Sequence, residues 1–245
     1  WWQKPRKKSR IAPVIYMLTE IFLLRSVWKN NRPLWPLSFA MHTGLYLIIL
    51  TLVLYFVNAI LMMGEASLTV QNVFLNITTV IVAAGCILGS LGAAGLILKR
   101  SIDTNLREYS TFSTYFRLAL LAAVFISGAT AMLFPGNYAD EMSLFVKGII
   151  TMDSGITVTA VSTVHILVSM LFVIYLPFTD MVHFITKYFT YHKVRWNDEP
   201  QDSRMAENLR KMAAQPISWS AGHAGADGRK SWAGLTEETG EKEKP

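Results

Sequence analysis

Four stretches of this chain, residues 36–63, 71–98, 112–134 and 157–185, are each long and apolar enough to cross a bilayer as a helix. A spanning helix needs about 20 mostly apolar residues, and it must satisfy its own backbone N–H and C=O groups because the hydrocarbon core offers no water. This constraint leaves one fold class, an all-α integral membrane helix bundle with four spans. Only 16% of the 245 residues are charged, against about 25% in a soluble domain.

The charges that remain sort the connections. Residues 1–35 hold eight Lys/Arg and one Glu, and 99–108 holds three basic and two acidic residues. The 64–70 connection carries only Glu65, and 135–156 carries Asp140, Glu141, Lys147 and Asp153. Basic residues thus fall on alternate sides, which places 1–35, 99–108 and the C-terminus in the cytoplasm. The net charge of +6 flanks spans, so it signals a bilayer surface and not nucleic acid. One cysteine, Cys86 in an apolar run, rules out an intrachain disulfide and an iron–sulfur cluster held by this chain alone.

Three regions follow. Residues 1–35 are a basic cytoplasmic and interfacial segment, in which 11–29 reads as an amphipathic helix lying on the membrane. Residues 36–185 are the bundle. Its second span is rich in small residues (AAGCILGSLGAAG) that let helix backbones approach closely, and Pro177 is expected to bend the fourth. Residues 186–245 form an extended cytoplasmic tail with ten basic and nine acidic residues, too polar for a core of its own. Its Trp196, Trp219 and Trp232 read either as anchors on a partner or as part of a disordered segment.

Histidines are the residues a lipid-facing helix has no use for. His165 and His183 lie 18 residues apart on the fourth span, about five turns and about 27 Å on a continuous helix, so both would share a face. His42 lies near the start of the first span, at a depth matching His183 on the antiparallel fourth. Two neutral imidazoles at one level suit a six-coordinate haem b between the helices. On residue pattern alone the alternatives are histidines bonded to neighbouring helices, or proton relays of a small transporter.

Three stretches carry a resemblance: LLRSVWKNNRPLWPLSFAMHTGLYLIIL (23–50), STVHILVSMLFVIYLPFTDMVHFITKYFTYHKVRWNDEP (162–200) and PISWSAGHAGADGRKSW (216–232). They resemble the membrane cytochrome b family of the respiratory nitrate reductase gamma subunit. They look nearer still to the membrane subunits of sulfate-reducer redox complexes and of membrane-bound heterodisulfide reductase. The resemblance implies a quinone-reactive electron-transfer subunit of an oxidoreductase complex. It would exchange electrons between menaquinone or another membrane quinone and a cytoplasmic iron–sulfur subunit through haem b, with further membrane or periplasmic subunits beside it. It also implies a span before Trp1. A competing expectation is a cofactor-free membrane anchor for a soluble redox subunit.

In that family the early span carries two ligands ten residues apart and the last span two at separation 18, paired crosswise by depth. His42 matches the first early ligand, and His165 and His183 match the last two. The remaining position is Leu52, which cannot ligate iron. The resemblance therefore implies one haem held by His42 and His183. It leaves His165 for a second haem with a substitute ligand, for a five-coordinate haem as its sole protein ligand, for a quinone contact, or for an ordinary interhelical hydrogen bond. Met62 and Met63 lie about 15 Å beyond Leu52 along the helix, too far to substitute.

Several polar residues have two readings. Asp180 is a ligand-orienting group or a helix cap. Arg117, Lys99 and Arg100 are propionate partners or snorkelling cations. Asn58, Asn76, Thr78 and Thr79 are a quinone lining or helix-to-helix bonds. His192, nine residues past His183, falls on the opposite helix face and should not share the haem, and His223 reads as a partner contact.

Overall fold

A computed structural model of the chain describes residues 11–134, 136–183, 203–221 and 226–235. Arg10–Thr186 form one unit, and Trp1–Ser9 with Lys187–Pro245 form another.

The first unit is the membrane bundle. Helix α1 (Ile11–Leu23) and helix α2 (Arg25–Asn30) precede the spans. The spans are α3 (Trp35–Met63), α4 (Leu68–Ile102), α6 (Phe112–Leu133) and α8 (Ala160–Tyr175), with the short α5 (Thr104–Glu108) between α4 and α6. Among the described residues, four helices are long and apolar enough to cross a membrane, the fourth counted through Phe178. They run alternately up and down. Ser67 caps α4, its side chain accepting from Val70 N–H, and Asp103 caps α5 by accepting from Asn105 and Leu106 N–H.

Helix α4 packs on both α3 and α6, and α6 packs on α8. The α3–α4 seam is a backbone-to-backbone contact made possible by glycine. A Cβ on Gly44 would lie 2.4 Å from Gly89 N, and one on Gly92 would lie 2.3 Å from Met41 N. Small residues serve this role in lipid, where close packing replaces the hydrophobic drive of water. Two apolar clusters result. At the end carrying the basic connections, Met41, Ala93, Leu96, Leu121, Phe125 and Phe172 bury one another. At the opposite end, Tyr55, Val82, Cys86, Ala131, Tyr138 and Met142 do so. Ile49, Leu52, Val53, Phe56 and Ile60 remain exposed on one face of α3.

The structure departs from the sequence expectations in four places. First, residues 11–29 are not one helix. Leu24 takes a left-handed conformation (φ 48°, ψ 48°) between α1 and α2. The corner is held by the buried Glu20, which accepts from Ser26 N–H at 3.1 Å, and by Trp35 Nε1–H donating to Leu23 C=O at 2.8 Å. Tyr46 O–H ties α1 to α3 by donating to Ile21 C=O at 2.9 Å.

Second, the 135–156 connection contains a helix, α7 (Tyr138–Thr151), packed on α3 and α4. Asn137 caps it and Asp140 and Glu141 occupy its first turn, the pattern expected of a helix start.

Third, the fourth span is broken. Helix α8 stops at Tyr175, and Leu176–Phe178 and Asp180–Val182 are single 3-10 turns around an extended Thr179 (φ −121°, ψ 162°). Pro177 causes this, because it lacks an N–H and its ring crowds the preceding turn. Thr179 repairs part of the ladder: its Oγ1–H donates to Leu176 C=O at 2.8 Å and its Oγ1 accepts from Met181 N–H at 3.2 Å. His165 and His183 are therefore not in phase on one continuous helix.

Fourth, the tail unit has a small core. Helix α9 (Ser203–Ala213) precedes a two-stranded hairpin, Ser220–Ala221 (β1) against Ala226–Asp227 (β2). Ile217, Ala226 and Leu235 are buried together, and the Trp219 and Trp232 rings meet edge-on with centroids 6.0 Å apart. These apolar residues are too sparse to show a period in sequence, and the hairpin gathers them. His192, Trp196 and His223 lie outside the described residues.

Candidate functional site

His42 and His183 come together at the basic end of the bundle. Their ring centroids are 6.5 Å apart, with the ring planes 64° to each other. His42 is carried by the unbroken α3, and its Nδ1–H donates to Ser38 C=O, four residues earlier, at 2.7 Å. His183 follows the second 3-10 turn, and its Nδ1–H donates to Asp180 C=O at 3.1 Å. A carbonyl only accepts, so each bond puts the hydrogen on Nδ1 and leaves a lone pair on Nε2. That is the tautomer a metal-ligating imidazole needs, with its second nitrogen bonded to an orienting acceptor.

The spacing can be tested against a metal between the rings. Two metal–nitrogen bonds of about 2 Å, each extended to its ring centre, separate the centroids by about 6 Å. The observed centroid separation of 6.5 Å therefore suits both rings ligating one metal. No group of three or more His, Cys, Asp or Glu side chains able to hold a metal ion exists among the described residues. Two imidazoles alone do not complete a protein-only centre, which usually takes four ligands. A porphyrin, which brings four nitrogens of its own, suits this donor set.

His165 stands apart, toward the opposite end. Its Nδ1 lies 2.9 Å from Ser127 Oγ, whose hydrogen is given to Val124 C=O at 3.0 Å, so the serine oxygen accepts from the ring. Tyr138, buried on α7, presents its ring 6.0 Å from the His165 ring at 70°. Gly128 lies against the histidine, where an added Cβ would sit 3.1 Å from Cε1. Leu52, at the position that the resemblance gives to a fourth ligand, is 54% exposed and carries no ligating atom. A tyrosine lies beside the His165 ring.

Ser127, Tyr138 and Glu141 are residues that sequence reasoning did not single out. Glu141 accepts hydrogen bonds from Thr159 N–H, from Thr159 Oγ1–H at 3.4 Å and from the buried Ser162 Oγ–H at 2.6 Å, joining α7 to the start of α8. The Asn137 cap followed by two acidic residues was a usable signal for α7. A cavity of about 240 Å³ opens here, lined by Phe134, Asn137, Tyr138, Asp140, Glu141 and Thr159.

The other polar candidates are engaged. Lys99 pairs with Asp103 at 2.8 Å, Arg100 donates to Ser110 Oγ at 3.2 Å, and Arg117 pairs with Asp180. Asn58 Nδ2–H donates to Thr78 Oγ1 at 3.0 Å, a bond between α3 and α4, while Thr79 Oγ1–H returns to Leu75 C=O at 2.9 Å. Asn76 is exposed.

Four apolar spans and two neighbouring histidines, each with Nδ1 bonded to a backbone carbonyl, suit the class of membrane cytochrome b subunits. Residues 25–197 match the family described as nitrate reductase gamma subunit, and the chain belongs to that family. Its members are integral inner-membrane cytochromes b of electron transport that pass electrons from quinol. No curated protein and no solved structure matches the chain.

Proposed function

We propose that this chain is the quinone-reactive electron-transfer subunit of an oxidoreductase complex. It would exchange electrons between a membrane quinol, menaquinone or another, and a cytoplasmic iron–sulfur partner through one haem b held by His42 and His183. The facing imidazoles 6.5 Å apart, each with Nδ1 bonded to a backbone carbonyl, carry this reading. Bound there, the haem supplies one-electron redox chemistry. This chain would supply the two histidine ligands and the backbone carbonyls of Ser38 and Asp180 that orient them.

The basic end, which holds His42 and His183, faces the cytoplasm under the positive-inside rule, the side on which the iron–sulfur partner would dock. The likeness to membrane subunits of sulfate-reducer redox complexes and heterodisulfide reductase supports such a partner, with further membrane or periplasmic subunits. Residues 36–185 do the redox work, 1–35 lie at the cytoplasmic interface and 186–245 contact the partner. At the far end His165 takes no second haem. Leu52 offers no ligating atom, and Ser127 and Tyr138 stand beside the imidazole, leaving His165 and the neighbouring cavity for a quinone headgroup.

A reduced-minus-oxidised visible spectrum of the purified chain tests this reading. We expect a b-type alpha band with one haem per chain, lost in both His42→Ala and His183→Ala and kept in His165→Ala. A flat spectrum at full haem supply rejects the reading and leaves a cofactor-free anchor.

A further inference from the structure

His42 and His183 are oriented by different means. The carbonyl that holds His42 belongs to Ser38, inside a continuous helix whose ladder sets its position. The carbonyl that holds His183 belongs to Asp180, in a 3-10 turn beyond the Pro177 break, where the ladder of α8 has ended. Something else must set the position of residue 180.

Two side chains bring this turn onto the bundle. Met181 packs against the cluster containing Leu121, Phe125 and Phe172. Asp180 pairs with Arg117 of α6, 63 residues away in sequence. The Arg117 side chain is 15% exposed while that of Asp180 is 73% exposed. The cation is thus the partner drawn from water, although a long side chain near a helix end could snorkel instead. Its second nitrogen, Nη2, donates to Thr114 Oγ1 at 3.3 Å, which holds the guanidinium to its own helix.

We propose that Arg117 is a positioning residue for the His183 imidazole. By pairing with Asp180 it holds in place the residue whose carbonyl accepts the Nδ1–H of His183. It therefore sets the alignment of that ring on His42 and the electron-donating strength of Nε2. The inference rests on ligation of one haem by His42 and His183. Outer partners of metal-bound histidines typically contribute about 10–100-fold in metal affinity, and the same scale is expected here.

The test uses the full chain purified with haem, comparing Arg117→Ala, Asp180→Ala, Arg117→Lys and the double variant Arg117→Ala/Asp180→Ala. Haem affinity should fall about tenfold or more in each alanine variant, with no further loss in the double variant because the two residues act as a unit. A weakened Nδ1–H bond makes the imidazole a poorer donor to ferric iron, so the midpoint potential of haem that remains should rise. The low-spin EPR signal should also broaden as the ring loses its orientation. Arg117→Lys should recover most of the loss, because one donor atom meets Asp180. Asp180 lies on an exposed turn, so its variant stays folded even where Arg117→Ala does not. A wild-type chain without a haem signal overturns the ligation reading and this inference together. A normal wild-type signal, with affinity, potential and EPR signal unchanged in Asp180→Ala, overturns this inference alone.

Discussion

Replacing Gly92 by alanine should damage the histidine pair through the backbone of α3. A Cβ at residue 92 would lie 2.3 Å from Met41 N and 2.7 Å from Met41 Cα. Ordinary heavy-atom contacts lie at about 3.5–4.0 Å, so α3 and α4 must part locally by about 1 Å. Met41 is buried and cannot step aside as a side-chain tip would. Overpacking of this kind costs about 1–3 kcal/mol, more than the roughly 0.5–1 kcal/mol a helix gains on Gly→Ala. His42 is the next residue, and a functional constellation tolerates only about 0.5 Å of displacement. A misalignment worth about 1–2 kcal/mol is about 5–30-fold in an equilibrium constant. Gly95→Ala is the control. Its Cβ would meet Leu37 Cδ2 at 2.5 Å, the far end of a flexible side chain that can swing away, so this variant should be neutral or slightly stabilising. The assay is the haem-to-protein absorbance ratio at limiting haem, with thermal unfolding in the same detergent. If Gly92→Ala keeps the ratio and melting temperature of Gly95→Ala, the claim that backbone contact positions His42 is wrong.

The remaining expectations concern the far end of the bundle. Leu52→His should not add a second haem, because His165 is already bonded to Ser127 and flanked by Tyr138; a pyridine haemochrome ratio rising from one to two haems per chain would refute this reading. Glu141→Ala removes the acceptor of three hydrogen bonds from Thr159 and Ser162, and should cost about 1–3 kcal/mol. Faster hydrogen exchange at the start of α8 is the expected sign, and exchange unchanged at residues 159–163 would count against the tether.

Much of this molecule follows from quantities that each residue carries by itself. Apolar runs set the four spans, and the alternation of Lys/Arg among the connections sorts the helix ends, because transfer from water to lipid is close to additive along a chain. Matching depths for His42 and His183 needed no more than their distance from those ends. The phase argument for His165 and His183 was weaker, since it assumed an unbroken helix through Pro177 and the turn at Thr179 removes that premise. Helix α7 was within reach through its Asn137 cap, but its short amphipathic pattern sat between longer apolar runs that dominated the hydropathy. Only the tertiary structure decided which residues stand beside His165, how far apart the His42 and His183 rings lie, and that Arg117 reaches Asp180. Those outcomes depend on how each helix is rotated about its axis and how closely its backbone meets the next. Rotation and approach are set jointly by several helices, at contacts such as Gly44 on Gly89, and no single residue's chemistry contains them.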